Sequence, residues 1–196
     1  QDEIGPITRT VKDAALMLDV MVGYDPDDPI TAFSVGRIPE SYADSLRKDA
    51  LRGARIGVMM NMFGTEERHE EVNKVMENVI KIMEENRATI VRFELPEYDE
   101  LSSKVGTSNW EARSAMEDYF ASLPADAPIT SFEQLVATHS AHPDIQKTLE
   151  EELAVEDGLN DPEYKERMLN RDKLRLAVAA KMAELDLDAI LYPLQK

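Results

Sequence analysis

Apolar residues recur at helical spacing near the start of the chain, over residues 10–23. Thr10 supplies a hydroxyl N-cap, and Asp13 follows three residues later, which is typical of a helix start. Gly23 supplies a stop at the other end. The apolar positions of this predicted helix are Val11, Ala14, Ala15, Leu18 and Val22.

Two short apolar runs with a long apolar stripe between them predict a strand, a helix and a second strand. The strands are predicted at residues 55–60 and 88–94, the second rich in β-branched side chains. Thr65 is the expected N-cap of the helix, and Glu66 and Glu67 suit its positive N-terminus. The stripe consists of Val72, Val75, Met76, Val79, Ile80 and Met83. Such a unit pairs its strands in parallel through a right-handed crossover, so the predicted fold class is α/β.

The rest of the chain is predicted to be mostly helical, with a last strand at residues 189–192. The predicted helices cover residues 110–123, 131–139, 144–153 and 162–185. Two of their starts are strongly marked. Ser131 begins a capping-box pattern that ends at Gln134, and Asp161 precedes Pro162 at a first helical turn.

Residues 25–51 are predicted to form irregular surface chain. The stretch opens at residues 25–29 with Asp-Pro-Asp-Asp-Pro, in which prolines and short acids favour a turn. Clustered carboxylates could in principle bind Ca²⁺, but the Gly and the distal Glu of a calcium loop are missing. We therefore predict no metal site here.

The composition is that of a folded and strongly acidic protein. Hydrophobic residues make up 43% of the chain, enough to bury a core, and 39 acidic against 22 basic residues give a formal net charge of −17. The electrostatic field of this negative charge repels phosphate backbones and anionic lipids. Neither a nucleic acid nor a membrane is therefore expected as a partner. The chain has no Cys, no run of ~18 apolar residues and no secretory signal at its start, which favours the cytoplasm.

The chain contains no catalytic motif that is complete by itself. There is no Gly-x-Ser-x-Gly elbow, no Gly-rich phosphate loop and no His-Glu-x-x-His pattern. Ser102, Ser103 and Lys104 suggest a Ser-Lys pair, but their polar surroundings predict a solvated loop. Ser140 lies between His139 and His142, and this group is expected to cap a helix at the surface.

Two aromatic residues are candidates for a ligand pocket. Trp110, the only Trp, stands at a predicted helix start, where it either lines a pocket or packs between helices. Tyr192 ends the last predicted strand, and ligands of α/β proteins gather at the carboxyl ends of strands. Simple packing is an equal alternative for this tyrosine.

Several blocks of sequence together suggest a family. Near the start, the chain reads Asp2-x-x-Gly5-Pro6-Ile7-Thr8-Arg9-Thr10-Val11-x-Asp13-Ala14-Ala15. Residues 25–29, the string Leu-Arg-Gly-Ala-Arg-Ile-Gly-Val at residues 51–58 and Asp-Ala-Ile-Leu-Tyr-Pro at residues 188–193 follow in order. These blocks resemble the part of the amidase signature family that follows the catalytic core.

The resemblance implies a hydrolase with a large mixed sheet surrounded by helices, which cleaves amide, anilide or carbamate bonds of small molecules. In that family a Lys deprotonates a cis-Ser, which activates a nucleophilic Ser, and an acyl-enzyme forms and is hydrolysed. No cofactor and no metal are implied. The triad precedes the Gly5-Pro6 block in the family, in a Gly/Ser-rich stretch that this chain does not contain.

We therefore assign no catalytic residue and expect this segment to be inactive alone. Residues 1–196 are interpreted as a segment of one amidase-signature domain that lacks its N-terminal catalytic portion. The candidate substrate-binding residues are Asp2, Trp110, Tyr192 and Gln195. Where family members often have Pro-Thr after the last strand, this chain has Pro193 and Leu194, which removes a hydroxyl near the expected pocket.

The expected partners are a small amide-like substrate and the remainder of the same polypeptide, and a homo-oligomer is left open. Two other functions remain as alternatives. One is the amidating subunit of a tRNA-dependent amidotransferase, which the residues scarcely distinguish from a free-standing amidase. The other is a non-catalytic, acidic α/β binding or interaction module, because the chain holds no nucleophile, base or metal cluster of its own.

Overall fold

A small parallel sheet joins distant parts of the sequence in this computed structural model, which describes residues 5–194. Its strands are β1 (Arg55–Met59), β2 (Thr89–Phe93) and β3 (Ala189–Leu191), in the spatial order β2-β1-β3. Ile56 of the middle strand lies opposite Ile90 on one side and opposite Ala189 on the other. The predicted α/β class and its parallel βαβ unit are confirmed.

The helix of the βαβ unit, α2 (Glu70–Glu85), begins differently from the sequence prediction. A 3-10 turn at Glu67–His69 precedes it, and Glu66 rather than Thr65 is the N-cap. The Glu66 side chain accepts from the His69 N–H, while the Glu66 N–H donates to His69 Nδ1 at 3.2 Å. His69 is buried, so its ring supplies a local acceptor that a solvated Thr65 hydroxyl cannot match.

The main core lies where the strands meet the last helix, α7 (Pro162–Glu184). Met59, Phe93 and Leu95 are buried there. The partly buried side chains that pack on them are Met62, Tyr98, Leu174, Ala177, Val178, Leu185, Leu187 and Ile190. A Cβ on Gly57 would overlap Leu187 Cδ1 and lie 2.8 Å from Phe93 Cε1, so a side chain at this position would displace both of these core residues.

A second core joins three shorter helices, α4 (Ser108–Ser122), α5 (Phe132–Ala137) and α6 (Pro143–Leu153), around Phe120, Phe132 and Val136. These helices confirm three predicted elements, with ends that differ by a few residues. The Ser131 hydroxyl caps α5 by accepting from the Gln134 N–H at 3.1 Å, as predicted. The solvated loop predicted around Ser102, Ser103 and Lys104 is partly wrong, because a short helix, α3 (Tyr98–Ser102), follows β2.

Helix α1 (Val11–Met21) is apolar around most of its circumference but has few packing partners among residues 5–194. The Thr10 hydroxyl accepts from the Asp13 N–H at 3.1 Å, as predicted. The helix ends at an extended Val22, and Gly23 does not adopt a left-handed conformation. Val11 is 74% exposed and Val20 is 87% exposed.

The segment after α1 is held to it by one carboxylate. Asp19 accepts from the Tyr42 N–H at 2.5 Å and from the Ser41 hydroxyl at 2.9 Å. The Tyr42 bond lowers the pKa of Asp19 most strongly. Short 3-10 turns at Pro29–Ser34 and Ala43–Ser45 interrupt the otherwise irregular chain that was predicted here.

Backbone atoms touch closely where α4 meets the 3-10 turn Gly158–Asn160. A Cβ on Gly158 would overlap the carbonyl oxygen of Trp110 and lie 2.8 Å from its carbonyl carbon. Neither atom can move without displacing α4. No helix in the described part of the chain has the length and apolar character needed to cross a bilayer.

Replacing Gly158 with Ala should therefore destabilise the protein by roughly 2–3 kcal/mol, the usual cost of overpacking against an unyielding neighbour. Urea denaturation of the protein expressed from its complete reading frame measures this. Gly106→Ala is the control, because a Cβ there meets no atom within 4 Å. Equal stability of the two variants would contradict the contact between Gly158 and Trp110.

Candidate functional site

The three parallel strands end at one edge of the sheet, which is where α/β proteins place their ligands. Asn61 follows β1, Leu95 and Tyr98 follow β2, and Tyr192 follows β3. The sheet thus brings residues from distant parts of the sequence to a single edge. We take this carboxyl edge as the candidate functional site.

A side-chain amide fixes the geometry of two strand ends. Asn61 Nδ2 donates to the Leu95 carbonyl oxygen at 3.2 Å, and the Leu95 N–H donates to Asn61 Oδ1 at 2.8 Å. Leu95 is buried, and its carbonyl oxygen also accepts from the Tyr98 N–H at 3.0 Å, so without Asn61 it is the Leu95 N–H that would remain unpaired. Asn61 therefore replaces the ladder hydrogen bonds just past the ends of β1 and β2.

Two tyrosines and a thioether lie next to this amide. The Tyr98 hydroxyl is 2.7 Å from Met62 Sδ. Burial raises the pKa of the Tyr98 phenol, and the nearby Asp99 carboxylate and Tyr192 phenol raise it further. Tyr98 therefore stays protonated at neutral pH, and Tyr192, which is 46% exposed, offers an aromatic face beside it.

A polar groove between α3 and α7 continues the site. On α7, Leu174 and Ala177 pack on the core at the strand ends, and Asn170 and Lys173 follow towards the helix N-terminus. Two adjoining cavities of about 390 and 410 Å³ lie here and share Lys104, Glu166 and Asn170. The wider set of charged lining residues is Glu97, Glu100, Lys104, Glu163, Glu166, Arg167 and Lys173.

Asn170 is the one buried polar residue among those that line the groove in the described chain. Its side chain is 4% exposed, and its Oδ1 accepts from Lys173 Nζ at 3.2 Å. The groove therefore offers an amide that accepts from a lysine, together with carboxylates and cations on both of its walls. Such a lining can orient a polar amide-like molecule by hydrogen bonds.

The two predicted pocket residues within residues 5–194, Trp110 and Tyr192, do not line a common cavity. Tyr192 lies at the carboxyl edge, but Trp110 lines a separate cavity of about 170 Å³ with Arg113 and Gly158. The Arg167 guanidinium lies 4.7 Å from the centre of the Trp110 ring and also lines the groove. Trp110 thus packs against Arg167, which is itself a groove residue. This fits the interpretation of Trp110 as a packing residue.

Asp2 and Gln195 lie outside the described residues. Leu194 is 88% exposed and lines an apolar surface cavity with Val72, Val75 and Met76 of α2. The leucine that replaces the expected threonine therefore adds to an apolar surface beside α2. Asn61, Tyr98 and Asn170 were not predicted from the sequence, although Asn61 and Tyr98 could have been found by their positions just after strands.

No serine hydroxyl in residues 5–194 is hydrogen-bonded to the amine of a lysine in the same range. The Ser102 and Ser103 hydroxyls donate to backbone carbonyls of α3, while Lys104 pairs with Glu100 at 3.5 Å. The His142 ring caps α6 by accepting from the Asp144 N–H, as the surface-cap prediction required. Within the described residues, then, no serine hydroxyl is hydrogen-bonded to the side chain of a lysine or a histidine.

The family model for amidases matches residues 1–196, and the chain belongs to the amidase family. An amidase of Pseudomonas putida is 41% identical over 95 residues, which cover 48% of this chain and 19% of that protein. A glutamyl-tRNA(Gln) amidotransferase subunit of Alkaliphilus metalliredigens is 35% identical over 120 residues, covering 60% of this chain and 23% of that protein.

Solved structures support the same assignment. The native peptide amidase of Stenotrophomonas maltophilia superposes with a TM-score of 0.80 at 28% identity. The match covers 96% of this chain and 39% of that one. This chain thus corresponds to about two fifths of a solved peptide amidase and shares its fold over that part.

Asn61→Ala should destabilise the protein by roughly 1–3 kcal/mol, because the buried Leu95 N–H loses its partner and the Leu95 carbonyl oxygen keeps only the Tyr98 N–H. Thermal and urea denaturation measure the effect. Asn86→Ala is the matched control, since Asn86 makes a single exposed bond to the Ile82 carbonyl oxygen. A loss no larger than that of the control would show that Asn61 does not hold the strand ends.

Proposed function

We propose that the protein is a hydrolase that cleaves carbon-nitrogen bonds of small molecules, and that these residues help to shape its substrate site. The observation that carries the proposal is the amidase-family match over residues 1–196, joined to a polar groove at the carboxyl edge of the sheet. The bonds in question are those of amides, anilides or carbamates. The cytoplasm is its proposed location.

The proposed chemistry is that of a Ser, cis-Ser and Lys triad outside this chain. The Lys takes the proton of the cis-Ser, which takes that of the nucleophilic Ser as it attacks the carbonyl carbon. The carbon-nitrogen bond breaks, the amine leaves with a proton, and water hydrolyses the resulting ester. These steps require no metal and no cofactor.

The role proposed for this chain is to bind and orient the substrate. Tyr192 supplies an aromatic wall, while Asn170 and Lys173 supply polar contacts farther along the groove. Asp2 and Gln195 remain proposed pocket residues, with Trp110 acting through Arg167. The partner is a small amide-like molecule; the strongly acidic surface argues against a nucleic acid bound directly by these residues.

We also propose that residues 1–196 form one segment of a larger domain, completed by further residues of the same polypeptide. Helix α1 supports this, because a helix that is apolar around most of its circumference is normally enclosed on those faces. Its Val11 and Val20 are largely exposed in the described part of the chain. Among residues 5–194, β2 and β3 also each have one unpaired edge.

Protein made from the complete reading frame should hydrolyse simple aryl amides, and residues 1–196 alone should not. Release of the aryl amine reports turnover, and a serine-directed inhibitor should abolish it. Turnover by the isolated 196 residues would overturn the placement of the triad. Lack of turnover by the complete protein, together with cooperative melting of the isolated chain, would favour a non-catalytic binding module instead.

Tyr192→Ala should lower kcat/KM for an aryl amide about tenfold, mostly through KM, because an aromatic contact with bound substrate is lost. Tyr192→Phe keeps the ring and should retain most of the activity. Tyr24→Ala is the control, since Tyr24 is similarly exposed but lies in the turn after α1. An unchanged KM in Tyr192→Ala would remove Tyr192 from the substrate site.

The amidating subunit of a tRNA-dependent amidotransferase is the second candidate. Relatives named as subunits of glutamyl-tRNA(Gln) amidotransferase support it, including one from Clostridium botulinum that is 38% identical over 114 residues. Glutamine-dependent amidation of Glu-tRNA(Gln), measured with purified partner subunits, tests this candidate. Hydrolysis of aryl amides without such partners favours the free-standing enzyme.

A further inference from the structure

Another cavity lies at the opposite, amino edge of the sheet. It has a volume of about 190 Å³ and is bounded by residues that precede β1 and β2. Its lining residues are Lys48, Asp49, Leu51, Arg52, Glu85, Asn86 and Arg87. We propose that this cavity binds a phosphate group through Lys48, Arg52 and Arg87, independently of the proposed amide hydrolysis.

The charges favour a small dianion. Three cations face two carboxylates in this cavity, which is unusual in a chain whose net charge is −17. Within residues 5–194, none of the three cations has a carboxylate oxygen within 4.0 Å, whereas Glu85 is paired with Lys81. Two guanidinium groups and an ammonium match the several acceptor oxygens of a phosphate group, whose charge of about −2 exceeds that of one carboxylate.

The backbone gives a second, independent reason. Arg87 has φ 71°, a left-handed conformation that glycine adopts far more readily than a residue with a side chain. It closes the end of α2, where the Ala88 N–H donates to the Met83 carbonyl oxygen at 3.0 Å. A helix end of this kind favours glycine, so the presence of an arginine points to a use for its side chain.

The two sides of the cavity are fixed to each other. The Gly53 N–H donates to the Arg87 carbonyl oxygen at 3.0 Å, and Gly53 itself has φ 82°. The Arg52 N–H donates to the Asp49 carbonyl oxygen at 3.0 Å, which shapes the turn that carries Lys48 and Arg52. The cations are therefore presented by a backbone that is already ordered, which lowers the entropic cost of binding an ion.

Arg87→Gly provides a clean test, because it removes the cation and relieves the left-handed backbone at once. Isothermal titration of the protein from its complete reading frame with inorganic phosphate, at low ionic strength, should show saturable binding. Arg87→Gly and Arg52→Gln should each weaken this binding about tenfold. The melting temperature of Arg87→Gly should rise, so its loss of affinity cannot come from unfolding.

Two controls separate the site from general charge effects. Asp186→Gly relieves the same conformation after α7, at φ 53°, without touching the cavity. Arg175→Gln removes a guanidinium whose side chain is 83% exposed on α7. Both should bind phosphate within twofold of the parent protein, and Arg87→Gly should keep its kcat/KM for amides.

Absence of saturable phosphate binding would overturn the proposal, as would equal weakening in Arg175→Gln. A parallel titration with glycerol phosphate distinguishes the two sources of the group. Tighter binding of the ester than of free phosphate assigns the site to a phosphate monoester. Equal affinities assign it to the free ion.

Discussion

The middle strand of the sheet depends on an arginine at its first position. The Arg55 N–H donates to the Asp188 carboxylate at 2.8 Å, and its guanidinium donates to the carbonyl oxygens of Leu185 and Asp186, each at 3.0 Å. These bonds connect β1 to the joint between α7 and β3, about 130 residues later in sequence. The register of β3 against β1, and so the position of Tyr192, follows from this attachment.

The periodic elements of the fold were predictable, because their signals are local. Thr10 and Ser131 cap helices through their own hydroxyls. The polar residue three positions after each of them, Asp13 and Gln134, indicated these caps. The cap of α2 was not predictable in this way, since burial of His69 makes its ring the better acceptor for the Glu66 N–H. Helix α3 was missed because five mostly polar residues leave no period to detect, and the packing of Tyr98 decides its conformation.

The candidate site was predictable only in part. Tyr192 follows from the rule that ligands gather where parallel strands end. The same rule could have indicated Asn61, whose bonds to Leu95 depend on the order of the strands. Asn170 could not have been found, because α3 and α7 form their groove only after the chain has folded. Trp110 was a pocket candidate because it is the only Trp of the chain. Its partner, Arg167, is the residue that lines the groove.

The pairing of β1 with β3 also sets an order of assembly during translation. β2 leaves the ribosome soon after β1, so one side of the central strand can be covered early, while the other must wait for residues 189–191. At about 5–20 residues per second, that wait is on the order of ten seconds. An uncovered strand edge attracts other extended chains. The nascent polypeptide therefore leaves one edge of β1 open to misassociation until β3 emerges, and slower translation between α2 and β3 would lengthen that window.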